Sequence, residues 1–132
     1  MGLIHHNSLL KTGVQRFDDD HLQLVTITNQ LHDAIKAGFD LQTVQRILQE
    51  LAVFAEHHFK AEEELLAHHD YPDLEQHRLA HQQIMTRLEQ LRHDPEQAHG
   101  SIIMQFLLDW LVNHTKNADT MYGPFLNRRG LF

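Results

Sequence analysis

From residue 18 onward, apolar positions recur every three or four residues, the spacing that lines one face of an α-helix, and four such runs follow one another. The first places His21, Val25, Thr28, His32 and Ile35 on one face. Asp18, Asp19 and Asp20 precede it and are expected to cap its first turn and to complement the positive helix end. Gly38 is the expected stop, and Asp40 the expected cap of a second helix with an inner stripe of Val44, Ile47, Leu51, Phe54, His58, Glu62 and Leu65. Tyr71-Pro72-Asp73 punctuates the chain before a third helix, which aligns Leu74, His77, His81, Ile84, Leu88 and Leu91. Asp94-Pro95 and Gly100 break that one. The fourth carries Ile103, Leu107, Trp110, Leu111, His114, Ala118 and Met121, and Gly123-Pro124 is expected to end it. Residues 1–17 show little periodicity and read as an irregular arm. No useful strand-like alternation, internal repeat or low-complexity stretch is present. The pattern predicts an all-α fold, an antiparallel up-down four-helix bundle with an irregular N-terminal arm. A length of 132 residues suits a single domain spanning 1–132.

The stripes are apolar until they reach one end of the bundle. There His21, His58, Glu62, His77, His81 and His114 interrupt them. A buried polar group costs a few kcal/mol unless it is satisfied, and an unpaired buried charge costs more. His21 lies near the start of the first helix, His58 and Glu62 toward the end of the second, His77 and His81 near the start of the third, and His114 toward the end of the fourth. In an up-down bundle these positions share one level. A common metal site accounts for all of them together. His58 to Glu62 and His77 to His81 are i, i+4 pairs, which project from one helix face. Register selects His58 over His57, because position 58 continues the stripe of Leu51 and Phe54 while position 57 falls with Glu50 and Glu64. The same register selects Glu62 from the run Glu62-Glu63-Glu64. Taken singly, an HxxxE or HxxxH pair is weak evidence for a metal. The conjunction across four helices is what carries weight.

Composition narrows the chemistry. There are 13 histidines and no cysteine. Disulfides, Fe–S clusters and Cys-ligated zinc are thereby excluded, and a cytoplasmic, reducing setting fits. With 11 Lys+Arg against 18 Asp+Glu, a formal charge of −7, the chain is ill suited to nucleic acid or anionic membranes. The opening MGLIHHNSLLKTG is not expected to be a signal peptide, and no stretch approaches the ~20 apolar residues of a membrane span. Of the remaining histidines, His5, His6, His93 and His99 fall in or near termini and loops, His68 and His69 close the second helix, His57 is expected at the surface, and His32 is not assigned. Trp110, Phe54 and the methionines read as core. Imidazole and carboxylate donors without thiolate suit Fe, Zn, Mn or Cu alike. The residues by themselves therefore stop at a polynuclear N/O site in a helical bundle.

Four stretches go further. They are Asp18-Asp19-Asp20-His21; His58-Phe59-Lys60-Ala61-Glu62-Glu63; Tyr71-Pro72-Asp73 with His77-Arg78-Leu79-Ala80-His81; and Trp110-Leu111-Val112-Asn113-His114 with Asp119. Together they resemble the hemerythrin family over nearly the whole chain, most of all its single-domain bacteriohemerythrins. The resemblance implies that His77, His81 and His114 bind one iron, that His21 and His58 bind a second, and that Glu62 and Asp119 bridge the two beside a bridging oxo or hydroxo group. Asp119 comes from the resemblance alone. It stands five residues from His114, about 140° around an ideal α-helix, and reaches the site only if the helix end loosens. The implied function is reversible O₂ binding at the iron with fewer ligands, for storage, delivery or buffering, with NO or small anions such as azide as further ligands. Leu111 matches a leucine lining the O₂ pocket. Three positions depart from the family pattern: His6, where Trp is common; Thr115, where an aliphatic residue is usual; and Asn117, polar near the pocket. The alternatives are a di-iron oxidase or peroxidase-like enzyme and an O₂ or NO sensor. O₂-activating carboxylate bundles use Glu-x-x-His motifs. Here nitrogen donors dominate, which favours an oxygen-binding protein over an enzyme.

Overall fold

The computed structural model describes residues 11–38, 40–93 and 100–132. Helices α1 (Gln15–Lys36), α2 (Leu41–His68) and α3 (Leu74–His93) are followed by a fourth rod in three parts. These are α4 (Gly100–Leu108), a π-helical segment (Asp109–Asp119) and α5 (Thr120–Asn127). Leu108 (φ −63°, ψ −46°) and Asp119 (φ −69°, ψ −39°) keep helical angles, so the rod is continuous across both junctions. Helix α1 packs on α2, α2 on α3, and the fourth rod contacts both α1 and α3. The predicted four-helix bundle is therefore what forms. No helix among the described residues is long and apolar enough to cross a membrane.

Two apolar layers hold the bundle. The larger contains Leu24, Leu31, Leu48, Leu51, Leu88, Leu91, Ile103 and Leu107, each at most 1% exposed. Each such side chain contributes roughly 1.5–3 kcal/mol by leaving water. The smaller, at the other side of the histidine level, joins Val14 and Phe17 to Leu66, Tyr122 and Leu126. The polar residues lie between these layers. Leu48, Ala55, Phe59 and Leu66 are buried on α2 beside the expected Val44, Leu51, His58 and Glu62, while Ile47, Phe54 and Leu65 only flank the core. The stripe is thus one position wider than the sequence reading made it.

Three local expectations are corrected. First, Asp18 to Asp20 do not cap α1. The helix starts at Gln15, and Val14 takes the cap position without a side-chain bond. Asp18 instead reaches back from the first turn and accepts hydrogen bonds from Thr12 N (2.7 Å), Thr12 Oγ1 (2.9 Å) and Gly13 N (3.3 Å). Its charge does lie in the first turn, as expected, but its hydrogen bonds anchor the arm rather than the helix end. Second, Gly123-Pro124 does not stop the fourth rod, which runs on to Asn127. Gly123 serves close packing: a Cβ there would overlap the carbonyl oxygen of Thr12. Third, Met121 faces solvent (66% exposed), because the π-helical segment shifts the register beyond it. Two other expectations hold. Gly38 adopts φ +75° and closes α1, and the Asp40 side chain accepts from Thr43 N at 2.8 Å. Gly100 opens the fourth rod; the residues 94–99 before it lie outside the described residues.

Candidate metal centre

All seven residues singled out above converge. His21, His58, Glu62, His77, His81 and Asp119 are at most 5% exposed, and the His114 side chain is 10% exposed. Every imidazole points Nε2 inward. Glu62 Oε1 lies 2.5 Å from His77 Nε2 and 3.2 Å from His81 Nε2, while Glu62 Oε2 lies 3.1 Å from His58 Nε2 and 3.9 Å from His21 Nε2. Asp119 divides in the same way. Its Oδ1 lies 2.8 Å from His77 Nε2 and 3.2 Å from His114 Nε2, and its Oδ2 lies 3.2 Å from His21 Nε2. Each carboxylate therefore gives one oxygen to each of two groups. One group is Glu62, His77, His81, His114 and Asp119; the other is His21, His58, Glu62 and Asp119. Within each group the donor atoms lie within 4.8 Å of one another.

Asp119 reaches the site through the π-helix. A π-turn bonds i to i+5, and Thr120 N donates to Thr115 O in that register. Residues five apart, such as His114 and Asp119, then share a face. The loosening that an α-helix would have needed is a wider turn running the length of the segment.

Whether these residues suit metal ions can be read from the inner atoms. His21 Nε2, His58 Nε2, His81 Nε2, His114 Nε2 and Asp119 Oδ1 are buried without a hydrogen-bond partner. Buried polar atoms are rarely left so, and these are the atoms that converge. Imidazole nitrogens with bridging carboxylates and no thiolate suit a pair of first-row transition ions. The outer sides of two rings are fixed. His58 Nδ1 donates to Asp20 Oδ2 at 2.8 Å and His81 Nδ1 to Glu63 Oε2 at 2.7 Å. With the proton on Nδ1, Nε2 is left as a lone-pair donor facing the centre. Tyr122, fully buried, donates to Glu62 Oε2 at 2.9 Å. Phe59 stacks on His81 (centroids 3.9 Å apart, planes 9°) and meets Trp110 edge-on. Phe17 closes over His58 and Tyr122 from the other layer.

Asp20, Glu63 and Tyr122 were missed in the sequence. Asp20 reads as a helix cap, and Glu63 falls outside the register that selects Glu62 from its run. The signal for Tyr122 was its place three residues past Asp119, one turn along the same face. His57 is exposed, as register required, and His32 is half-buried beside Asp33, away from the centre. Thr115 is buried, 3% exposed, in the π-helical segment. His5, His6, His99 and the Asn117 side chain lie outside the described residues.

Residues 12–126 match the hemerythrin HHE cation binding domain. The chain belongs to the hemerythrin family. A bacteriohemerythrin of Methylococcus capsulatus is 30% identical over 119 residues, covering 88% of this chain and 90% of that protein. One from Pseudomonas aeruginosa is 30% identical over 115 residues, covering 86% and 74%. The crystal structure of wild-type hemerythrin superposes with a TM-score of 0.80 at 27% identity, over 92% of this chain and 96% of that one. Hemerythrin-type spacing and the buried donor set thus agree on a metal-binding helical bundle.

The electrostatics of the donor set give a first prediction. Burial alone would lower the pKa of His58, but the hydrogen bond to Asp20 and the facing Glu62 and Asp119 carboxylates overcome it and raise it from 6.5 to about 10. Burial likewise opposes protonation of His77, and Asp119 with Glu62 raise it to about 10. Burial and the Asp119 charge would raise Glu62, yet the facing His58, His77 and His81 hold it well below the usual carboxylate range. Burial would also raise Asp119, and the facing histidines, His114 first, hold it far down. In protein stripped of metal, the stabilisation from His58 and His77 is complete below pH 6.5 and is lost as pH climbs toward 10. The carboxylate part is lost as pH falls below the ordinary carboxylate range. Metal binding needs neutral imidazoles and releases protons. Melting curves of chelator-stripped protein should therefore show maximal stability in mildly acid buffer and a falling Tm from pH 6.5 upward. The metal-loaded form should not share that decline. A stripped form most stable above pH 9 would contradict the ion pairing described.

Proposed function

We propose that this hemerythrin-family chain binds O₂ reversibly at two iron ions, one held by His77, His81 and His114, the other by His21 and His58, with Glu62 and Asp119 shared. The observation that carries this reading is the inequality of the two donor groups, five residues against four, joined by the same two carboxylates. The poorer group leaves a position free for a small molecule, which a closed structural site does not. When bound, the iron pair supplies electrons to O₂ and that free position. The protein does the rest. Asp20 and Glu63 hold their imidazoles in the donor tautomer, and Tyr122 orients Glu62 through Oε2. Tyr122 remains a neutral phenol, because burial and the Glu62 and Asp119 charges raise its pKa well above 10. Phe59, Trp110 and Leu111, each at most 3% exposed, keep water away, with Leu111 proposed to line the O₂ pocket. The nitrogen-rich donor set supports binding over oxidation chemistry. NO and small anions are further ligands under the same reading, and the setting is cytoplasmic, in keeping with a chain without cysteine.

An optical spectrum of the dithionite-reduced protein, taken before and after admitting air with iron counted per chain, tests this. Visible bands that appear in air and bleach under argon, at about two irons per chain, are expected. Bands that decay straight to the ferric form would favour an oxidase or sensor role instead. His57→Ala should leave the iron count intact; if it empties the centre, the ligand register is wrong.

A further inference from the structure

Among the five site histidines, His114 differs from the rest. Its side chain is 10% exposed, against at most 4% for the others. The exposure has a definite place. His114 forms part of the wall of a groove of about 310 Å³ between α3 and the fourth rod, together with Ala80, Ile84, Phe106, Trp110 and the exposed Gln83. The same imidazole therefore touches the groove on one side and presents Nε2 to Asp119 on the other. Four other grooves, lined by Gln42 with Arg92, by Ile27 with His57, by Ser101 with Gln105 and by Lys60 with Arg78, contain none of the seven site residues. Behind the His114 wall, Trp110 meets Phe59 edge-on at 5.8 Å, and Phe59 lies against His58 of the four-residue group (ring centroids 5.9 Å apart) as well as stacking on His81. The side chains between the groove and that group are thus aromatic. Arg87 and Asp109 also border the groove and carry opposite charges, so it offers no net charge to gather ions. One wall belongs to the π-helical segment, a type of helical distortion that concentrates at functional sites.

We infer that this groove is the entrance through which small neutral molecules reach the centre, with the His114 ring as its inner wall. The inference rests on the ligand-binding reading above and adds a route to it. An entrance has a signature distinct from that of a binding contact. Narrowing it slows arrival and departure by one common factor and leaves the equilibrium where it was, because both end states are unchanged.

Gln83→Phe and Ala80→Leu would fill the groove from α3 without touching a site residue. Gln82→Phe, exposed on α3 and outside the groove, is the control for an added ring. In iron-loaded protein, nitric oxide association and dissociation are measured by rapid mixing. Both rates should fall several-fold in the two filled variants, with the dissociation constant unchanged and iron content equal to that of the parent. In metal-free protein, Trp110, the chain's single tryptophan, reports on the groove directly. Quenching of its fluorescence by dissolved O₂ should drop several-fold in the filled variants and not in Gln82→Phe, while iodide should quench weakly in all of them. Unaltered rates and unaltered O₂ quenching would overturn the inference, as would a change in only one of the two rates, which shifts the affinity. If the parent protein holds no iron or binds no nitric oxide, the proposed function fails. The tryptophan measurement then still decides whether the groove admits neutral molecules: lost quenching in the filled variants upholds that part, and retained quenching sinks it.

Discussion

Glu62→Gln is expected to lower the metal content from the proposed two ions per chain to one or none. The substitution keeps the side chain's shape and changes only its charge and one terminal atom. Glu62 gives Oε1 to His77 and His81 and Oε2 to His58, and it also accepts from Tyr122. A carboxamide has one acceptor oxygen and one NH₂. Whichever way it turns, NH₂ faces either the pair His77 and His81, or His58 together with the Tyr122 hydroxyl. An amide nitrogen is no metal ligand, and one donor group loses a member in either orientation. Loss of an outer partner to a ligand costs about 10–100-fold in metal affinity, and loss of a shared ligand should exceed that. The metal-free protein should suffer as well. His58 and His77 are held protonated partly by Glu62, and removing one partner of a buried ion pair costs about 3–5 kcal/mol. Elemental analysis after dialysis, beside a melting curve of the stripped protein, reads both effects. Two ions retained at parental affinity would show that Glu62 is not a ligand.

Gly123→Ala should destabilise by about 3 kcal/mol, lowering Tm by roughly 10–15 °C. The sign is the informative part. Alanine in place of glycine inside a helix ordinarily stabilises by about 0.5–1 kcal/mol. Gly123 is inside α5, at an ordinary helical position. Here, however, the added methyl would occupy the space of the Thr12 carbonyl. Thr12 has little freedom to withdraw, since its backbone N and Oγ1 both bond to Asp18, and the neighbouring Gly13 carbonyl accepts from Asn127 Nδ2 at 3.1 Å. The arm would have to leave its seat between α1 and α5. Thermal melting read against iron content separates the outcomes: a lower Tm with iron retained in the cold is expected. A stabilised variant would mean that the arm yields easily.

Much of this was legible in the sequence, for identifiable reasons. His58, Glu62, His77 and His81 sit on ordinary α-helices, where i, i+4 spacing fixes direction, and the stripe selected them from neighbours of the same type. Asp119 was different. Its spacing from His114 contradicts α-helical geometry, and no hydrophobic period shows that eleven consecutive residues, Asp109 to Asp119, adopt a wider turn. Only the family resemblance supplied it. The outer partners were hidden for another reason. Asp20 and Glu63 lie one residue from proposed ligands and match common surface patterns, a cap and an acidic run, so composition gave no ground for drawing them inward. Gly123 looked like a terminator because glycine before proline usually is one. Its real role depends on a backbone 111 positions away in sequence, a contact that no local pattern reports.

The π-helical segment also bears on how such a chain can change over time. Its contribution is a count of residues more than a choice of them. A single-residue deletion between Trp110 and His114 would let the rod relax into ordinary α-helix with every proposed ligand still encoded. Asp119 would then stand about 140° around the helix from His114 and face away from the centre. Exchanges of one side chain for another along this stretch leave the spacing alone. Lineages carrying the centre should thus tolerate varied composition here while rejecting insertions and deletions, the reverse of what a connecting loop permits.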